Sequence, residues 1–358
     1  MSDALAVVVG IDRYPDEILG ALKGAINDAE EFCAWLRTPA AGGLEESNSK
    51  QATEIFKILS IDDGSDALGA RPMLGEVEEA LERVRLKAET AVEEWVAGRR
   101  PAPLKRLYLF FAGHGIGPDI DQAALLMANA GRDRFGYYLQ GRSYANYFLG
   151  RGSFDEVLLF MDCCRDRYPF IPPQPLKWEA PEPTGRDSNH CFAFATKWSK
   201  QSRETILRGK SRGLFSAAVV EGLKGLAADD RGHVTAETLE GYVAARVPTL
   251  AIKGREVQKA DFDYPNPNLR PLLIADYGQA AGPLWSEVIV TLSAPQQNTA
   301  LAVVDGDLDV AALFDERRDP PNRWSFRVPF GLYTIKNPAA GTSTPQFQVA
   351  GPEINVAF

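Results

Sequence analysis

Short apolar runs alternate with amphipathic stretches along most of this chain. Residues 4–9 (Ala-Leu-Ala-Val-Val-Val) form a continuous apolar run of strand length, closed by Gly10, and residues 22–37 repeat apolar positions at a helical period. Residues 52–60 predict a second strand. Residues 75–97 predict a charged amphipathic helix, which Pro101 and Pro103 end. The runs 106–112 and 156–162 are almost wholly apolar, as in strands buried on both faces, and a helix is predicted between them near 137–149. Cys191–Thr196 predicts a fifth strand, residues 213–226 and 235–247 two more helices, and Leu272–Ala275 an edge strand. Residues 165–189 are Pro-rich, charged and without period, which predicts a long mobile loop. This alternation predicts an α/β fold, with a mostly parallel sheet flanked by helices.

The pattern changes after Gly282. Residues 285–294, 299–304, 324–335 and 345–358 are short alternating runs, separated by turn signals such as Asp305-Gly306 and Pro320-Pro321. They predict a small all-β sandwich. The expected division is 1–277 for the α/β domain, 278–284 for a linker and 285–358 for the β domain.

Composition narrows the function classes. The chain has 358 residues, of which 45% are hydrophobic, enough for a substantial core. Lys plus Arg number 39 against 48 acidic residues, a net charge of −9, which argues against a general nucleic-acid surface. That charge is compatible with attraction for basic peptide segments. The N-terminus runs straight into a strand, with no basic region to begin a signal peptide. No apolar run approaches the roughly 18 residues of a membrane span. The four cysteines, at 33, 163, 164 and 191, have neither disulfide-scaffold nor zinc spacing. The expectation is free thiols in a reducing cytoplasm, with no nucleic-acid or membrane partner.

Two of the predicted strands end in reactive side chains. One is Leu107 to Gly115, which closes on Gly113-His114-Gly115; the other is Val157 to Cys164, which closes on Asp162-Cys163-Cys164. The carboxyl ends of strands in an open parallel sheet face the functional crevice, so a thiol nucleophile would stand beside its proton acceptor. The remaining histidines are His190, at the end of the predicted loop, and His233, in a turn expected to be exposed. Cys33 and Cys191 read as core residues. Side chains alternate across a strand, so only one of Cys163 and Cys164 can face the crevice, and spacing does not choose between them.

The blocks Gly10-Ile-Asp-Arg-Tyr14, Gly24-Ala-Ile-Asn-Asp28-Ala29, Phe111-Ala-Gly-His-Gly115 and Asp162-Cys-Cys164 resemble the caspase-like cysteine peptidases, above all their metacaspase and bacterial branches. The resemblance extends through Phe192-Ala-Phe-Ala195 and residues 213–223 and covers roughly residues 4–276, with the blocks in the family's order. His and Cys lie about fifty residues apart, as in caspases.

The resemblance implies a cysteine endopeptidase. It places the nucleophile at Cys164, the general base at His114 and the oxyanion hole at the N–H groups of Gly115 and Cys164. Caspases that cleave after Asp carry an arginine shortly before the block that holds Asp28, and Ile18–Leu22 contains none. Metacaspases place acids at the positions of Asp28 and Asp162, which implies cleavage after Arg or Lys. Bacterial relatives act in regulated cell death or antiviral defence, and the β domain would recruit a substrate, an activator or a second copy.

The chain departs from the family at Arg165-Asp166-Arg167, where His-Ser-Gly is usual, and at Ala112, where a Ser is common. Calcium-activated members use clustered aspartates, for which Asp119, Asp121 and Asp133 are candidates; no metal site or cofactor is assigned. The basic residues Arg165, Arg167, Lys177 and Arg186 would allow self-processing in the loop. A catalytically silent scaffold that binds proteins is the alternative reading. A dinucleotide-binding enzyme lacks support, because the turn after the first strand is not glycine-rich.

Overall fold

The computed structural model describes residues 3–358 apart from 18, 46–53, 119–121, 132, 167–173, 180–184, 198–199, 201, 208, 251–257, 267–270, 279–284, 293–300, 306–309, 314–322, 330, 338–340 and 350–352. Its centre is a six-stranded sheet built from β1 (Ala4–Gly10), β2 (Ile55–Leu59), β3 (Leu104–Ala112), β7 (Phe154–Asp162), β8 (Asn189–Phe194) and β12 (Asp261–Asp263). The order across the sheet is β12-β8-β7-β3-β1-β2, and only the β12–β8 pair is antiparallel. The mostly parallel α/β sheet predicted from the apolar runs is therefore present.

Alternation along each strand feeds two cores. Ala6, Val8, Tyr108, Phe110, Leu158 and Phe160 point to one face, where α1 (Ala25–Leu36), α4 (Leu214–Glu221) and α5 (Ala236–Leu250) cover them. Val7, Val9, Leu109, Phe111, Leu159 and Met161 point to the other, beneath α2 (Leu74–Val96) and α3 (Gly141–Arg151). Strands buried on both faces need no polar alternation, which is why they read as continuous apolar runs.

Small pieces decorate the carboxyl end of the sheet. β4 (Gly115–Ile116), β5 (Ala124–Leu126) and β6 (Tyr138–Gln140) form a three-stranded antiparallel sheet directly after His114. β9 (Glu204–Leu207) and β10 (Lys210–Gly213) form a separate hairpin. The helix predicted over 213–226 is regular only to Glu221. Gly222–Leu226 continues as a wider turn in which Gly225 takes φ 111°.

Three expectations are corrected. Leu272–Ala275 is not an edge of the central sheet: β13 (Leu273–Asp276) pairs with β11 (His233–Thr235), and the edge strand is β12. The buried Arg106 guanidinium holds β13 by donating to the carbonyls of Leu273 and Ile274. His233 accordingly opens a strand and is half-buried rather than lying in an exposed turn.

The third correction concerns residues 165–189, whose described parts are docked rather than mobile. Trp178 packs on the rings of Tyr144, Tyr147 and Phe148, with Arg85 over its face. Lys177 is ion-paired with Glu78 and Arg186 with Asp155, and the Ser188 hydroxyl donates to Phe154 O at 2.6 Å. Arg167 lies outside the described residues. Lack of sequence period shows only that the segment is neither helix nor strand; aromatic and charged anchors hold it without either.

The C-terminal part is all β. β14 (Trp285–Thr291) lies between β17 (Arg323–Pro329) and β21 (Glu353–Ala357). A second sheet contains β15 (Ala302–Asp305), β16 (Val310–Leu313), β18 (Gly331–Asn337), β19 (Thr342–Ser343) and β20 (Phe347–Val349). Val288, Val290, Val303, Val328, Tyr333, Ile335 and Val349, from both sheets, share one apolar cluster. The predicted run 324–335 divides around residue 330 into β17 and β18.

Candidate active site

Register places the two reactive ends side by side. In the parallel β3–β7 pair, Ala112 stands opposite Asp162, so His114 and Cys164 each lie two residues beyond the last paired position. Both open into one cavity of about 390 Å³, which Asp28, Asp162, Ser202, Glu204 and Gly213 also line.

The two cysteines separate cleanly. Cys163 is 1% exposed and belongs to the apolar core, whereas Cys164 is half-buried and lines the cavity. Gly115 packs on Cys163 so closely that a Cβ there would come 2.7 Å from its Sγ. The choice that strand spacing left open thus falls on Cys164.

The Cys164 thiol is embraced by the backbone of Ser202, whose N–H donates to Sγ at 3.3 Å. Burial pushes the thiol up to about 11, with Asp166 and Asp162 adding to the shift and Ser202 N–H and Arg203 opposing it. Arg165, which follows Cys164, is buried. Its guanidinium donates to Thr196 O at 3.1 Å and to Asp261 at 2.8 Å, and lies 4.8 Å from the centre of the Phe194 ring. A side chain that would be a solvated loop cation elsewhere here anchors the turn that carries the thiol.

His114 is held from two sides. Its backbone N–H donates to the Tyr14 hydroxyl at 2.9 Å, and that hydroxyl donates to Leu126 O at 3.1 Å. The ring Nε2 lies 3.1 Å from Gly20 O. A carbonyl only accepts, so Nε2 carries the proton in this contact and Nδ1 is the basic nitrogen. Burial lowers the imidazole below its usual value, while the Gly20 carbonyl and Glu204 oppose the shift. Thiol and imidazole are therefore both neutral at rest.

The first helix is aimed at the site by remote carboxylates. Asp12 accepts the N–H groups of Ala25 at 2.8 Å and Ile26 at 3.3 Å, and Glu204 accepts that of Gly24 at 2.7 Å. These acids take the place of a local N-cap and meet the positive end of the helix. Gly10 is required by the same packing, since a Cβ would come 2.7 Å from Ala25 O. Asp28, in the first turn, is 1% exposed. It accepts from Nε of Arg212 and, at 2.7 Å, from the N–H of Gly213. Burial pushes its carboxyl up, Arg212 opposing and Asp162 adding to the rise. Asp162 accepts from the Ser202 hydroxyl at 2.5 Å and the Ser216 N–H at 3.0 Å, and burial raises it as well.

No family model matches the chain, and no curated protein does. Solved structures do. The chain is similar to caspase-1 from Spodoptera frugiperda at 14% identity, with 73% of this chain and 86% of that chain covered and a TM-score of 0.45. It is also similar to pro-sf-caspase-1 at 12% identity, covering 73% and 90% of the two chains, with a TM-score of 0.40.

What the site can do follows from its own geometry. The cavity joins a thiol, an imidazole and the four carboxyl groups of Asp28, Asp162, Asp166 and Glu204, of which Asp28 and Asp162 are the two that the sequence puts forward. Glu204 and Arg212 were not foreseen, because they sit in a polar stretch with no apolar period and reach the site only through the β9–β10 hairpin. The one available signal was Gly213 at the head of an apolar helix. Of the aspartates considered for calcium, Asp119 and Asp121 lie outside the described residues; Asp133 is described, and no metal-holding cluster exists among the described residues. No helix among the described residues is long and apolar enough to cross a membrane.

Proposed function

We propose that the chain is a cysteine endopeptidase that cleaves proteins after arginine or lysine. The observation that carries this reading is the single cavity that holds Cys164, His114 and the carboxyl groups of Asp28, Asp162 and Glu204. A thiol with a base supports acyl transfer, and clustered acids beside it support recognition of a basic P1 side chain.

In the proposed reaction His114 Nδ1 takes the Sγ proton as sulfur attacks the scissile carbonyl. The N–H groups of Gly115 and Cys164 stabilise the oxyanion. The C–N bond then breaks, and the amine leaves with the proton from His114. Water, activated by the same imidazole, hydrolyses the thioester and restores the thiol. The pair is neutral at rest, so proton transfer accompanies attack instead of preceding it. This chemistry draws on no cofactor.

The family resemblance further supports a regulated role in bacterial defence or cell death, with residues 285–358 as the docking module for an activator or substrate. A peptidyl-arginine chloromethyl ketone tests the core of the reading. Covalent labelling that disappears in Cys164→Ala supports it; absence of labelling would favour the silent scaffold.

A further inference from the structure

Asp28 is the acid that the basic-P1 reading puts at the base of the pocket, yet both of its oxygens are engaged by the chain itself. Oδ1 accepts from Nε of Arg212 and Oδ2 from the N–H of Gly213. Both donors belong to β10, whose register sets Gly213 opposite Glu204 and Arg212 opposite Thr205. One hairpin thus brings Glu204 to the pocket wall and Arg212 to the carboxyl of Asp28, which lines the same pocket. Glu204 meets the start of α1, and Arg212 reaches the next residues of the same helix. The Arg212 side chain is only 12% exposed, so solvent ions screen its charge little.

We propose that Arg212 is an internal competitor for the substrate's basic side chain, a specificity-determining residue that sets how tightly the pocket holds a P1 arginine or lysine. The inference rests on the basic-P1 reading above. A substrate cation approaching Asp28 must share that carboxylate with Arg212 and meets a like charge beside it. Glu204 is held by neutral donors, the N–H groups of Lys23 and Gly24 and the Ser211 hydroxyl. Asp162 is held by the Ser202 hydroxyl and the Ser216 N–H. Attraction for the incoming charge falls on these two and on Asp166, and the pocket is less acidic than its four carboxyl groups would make it.

The test uses two fluorogenic peptides that differ only in carrying arginine or citrulline at P1, which have the same shape with and without charge. The full chain is compared with Arg212→Gln and Arg212→Lys, and thermal melts establish folding. In Arg212→Gln the arginine-to-citrulline ratio of kcat/KM should rise roughly tenfold, the size of one charge-assisted hydrogen bond released to the substrate. Arg212→Lys keeps the charge but loses the fixed fork, and its ratio should rise about twofold to threefold. An unchanged or lower ratio in folded Arg212→Gln overturns the inference. Should that variant not fold, an unchanged ratio in Arg212→Lys does so. A wild-type chain with no preference for arginine over citrulline would instead defeat the basic-P1 reading itself.

Discussion

The backbone N–H of Ser202 donates to the sulfur of Cys164 at 3.3 Å, and it is the strongest influence that favours the thiolate. Burial outweighs it and leaves the thiol pushed up to about 11. Alkylation of Cys164 by iodoacetamide should therefore rise with pH toward a midpoint near 11. His114 shifts the other way: burial holds it below 6.5, so the neutral base persists to lower pH and the acidic limb of kcat/KM should fall below 6.5. A preformed thiolate–imidazolium pair would instead give an alkylation plateau already at about pH 6.

Cys163 and Cys164 should separate on substitution. Cys163→Ala removes a buried sulfur from the core, and the fold should lose about 1 kcal/mol while activity stays within about threefold. Gly115→Ala should be far more damaging. Its Cβ would come 2.6 Å from Cys163 Cβ and 2.7 Å from Cys164 O, forcing the turn that carries Cys164 aside. Melting curves and kcat for the two variants check the contrast; equal losses of activity would contradict it.

The strands and their reactive ends were legible because burial on both faces leaves a continuous apolar run, as in residues 106–112 and 156–162. Cys164 was legible through motif resemblance and not from the strand, since alternation allows either neighbour; burial puts Cys163 in the core and Cys164 on the cavity. Asp28 and Asp162 were legible only through motif resemblance. Glu204, Arg212 and the docking of Trp178 were hidden for a common reason. Each depends on a long-range contact made by a polar segment, and such segments carry no period that could announce it.

Tyr14 positions His114 through its hydroxyl, which accepts the histidine's N–H at 2.9 Å. Tyr14→Phe keeps the ring but removes that acceptor. The turn should lose about 1 kcal/mol of positioning, seen as a five- to tenfold fall in kcat, roughly, with KM little changed. A rise in KM at constant kcat would assign Tyr14 to substrate binding instead.

Self-cleavage at Arg186 should not occur within one chain. Arg186 is tied to Asp155, near the start of β7, while Cys164 follows the end of that strand, roughly 30 Å away at strand rise. Any cleavage there should therefore accelerate with protein concentration. Trp178→Ala should free the segment and speed its trypsin digestion at least severalfold. A concentration-independent rate of self-processing at Arg186 would contradict the docked arrangement.

The central claim is that Cys164 and the acidic pocket act together on basic residues. Its most direct test is a panel of fluorogenic peptides identical except at P1, hydrolysed by the full chain and by its Cys164→Ala variant. Cleavage after arginine and lysine, at least a hundredfold above aspartate and abolished in Cys164→Ala, is the predicted result. Preference for aspartate, or equal rates with and without the thiol, would contradict it.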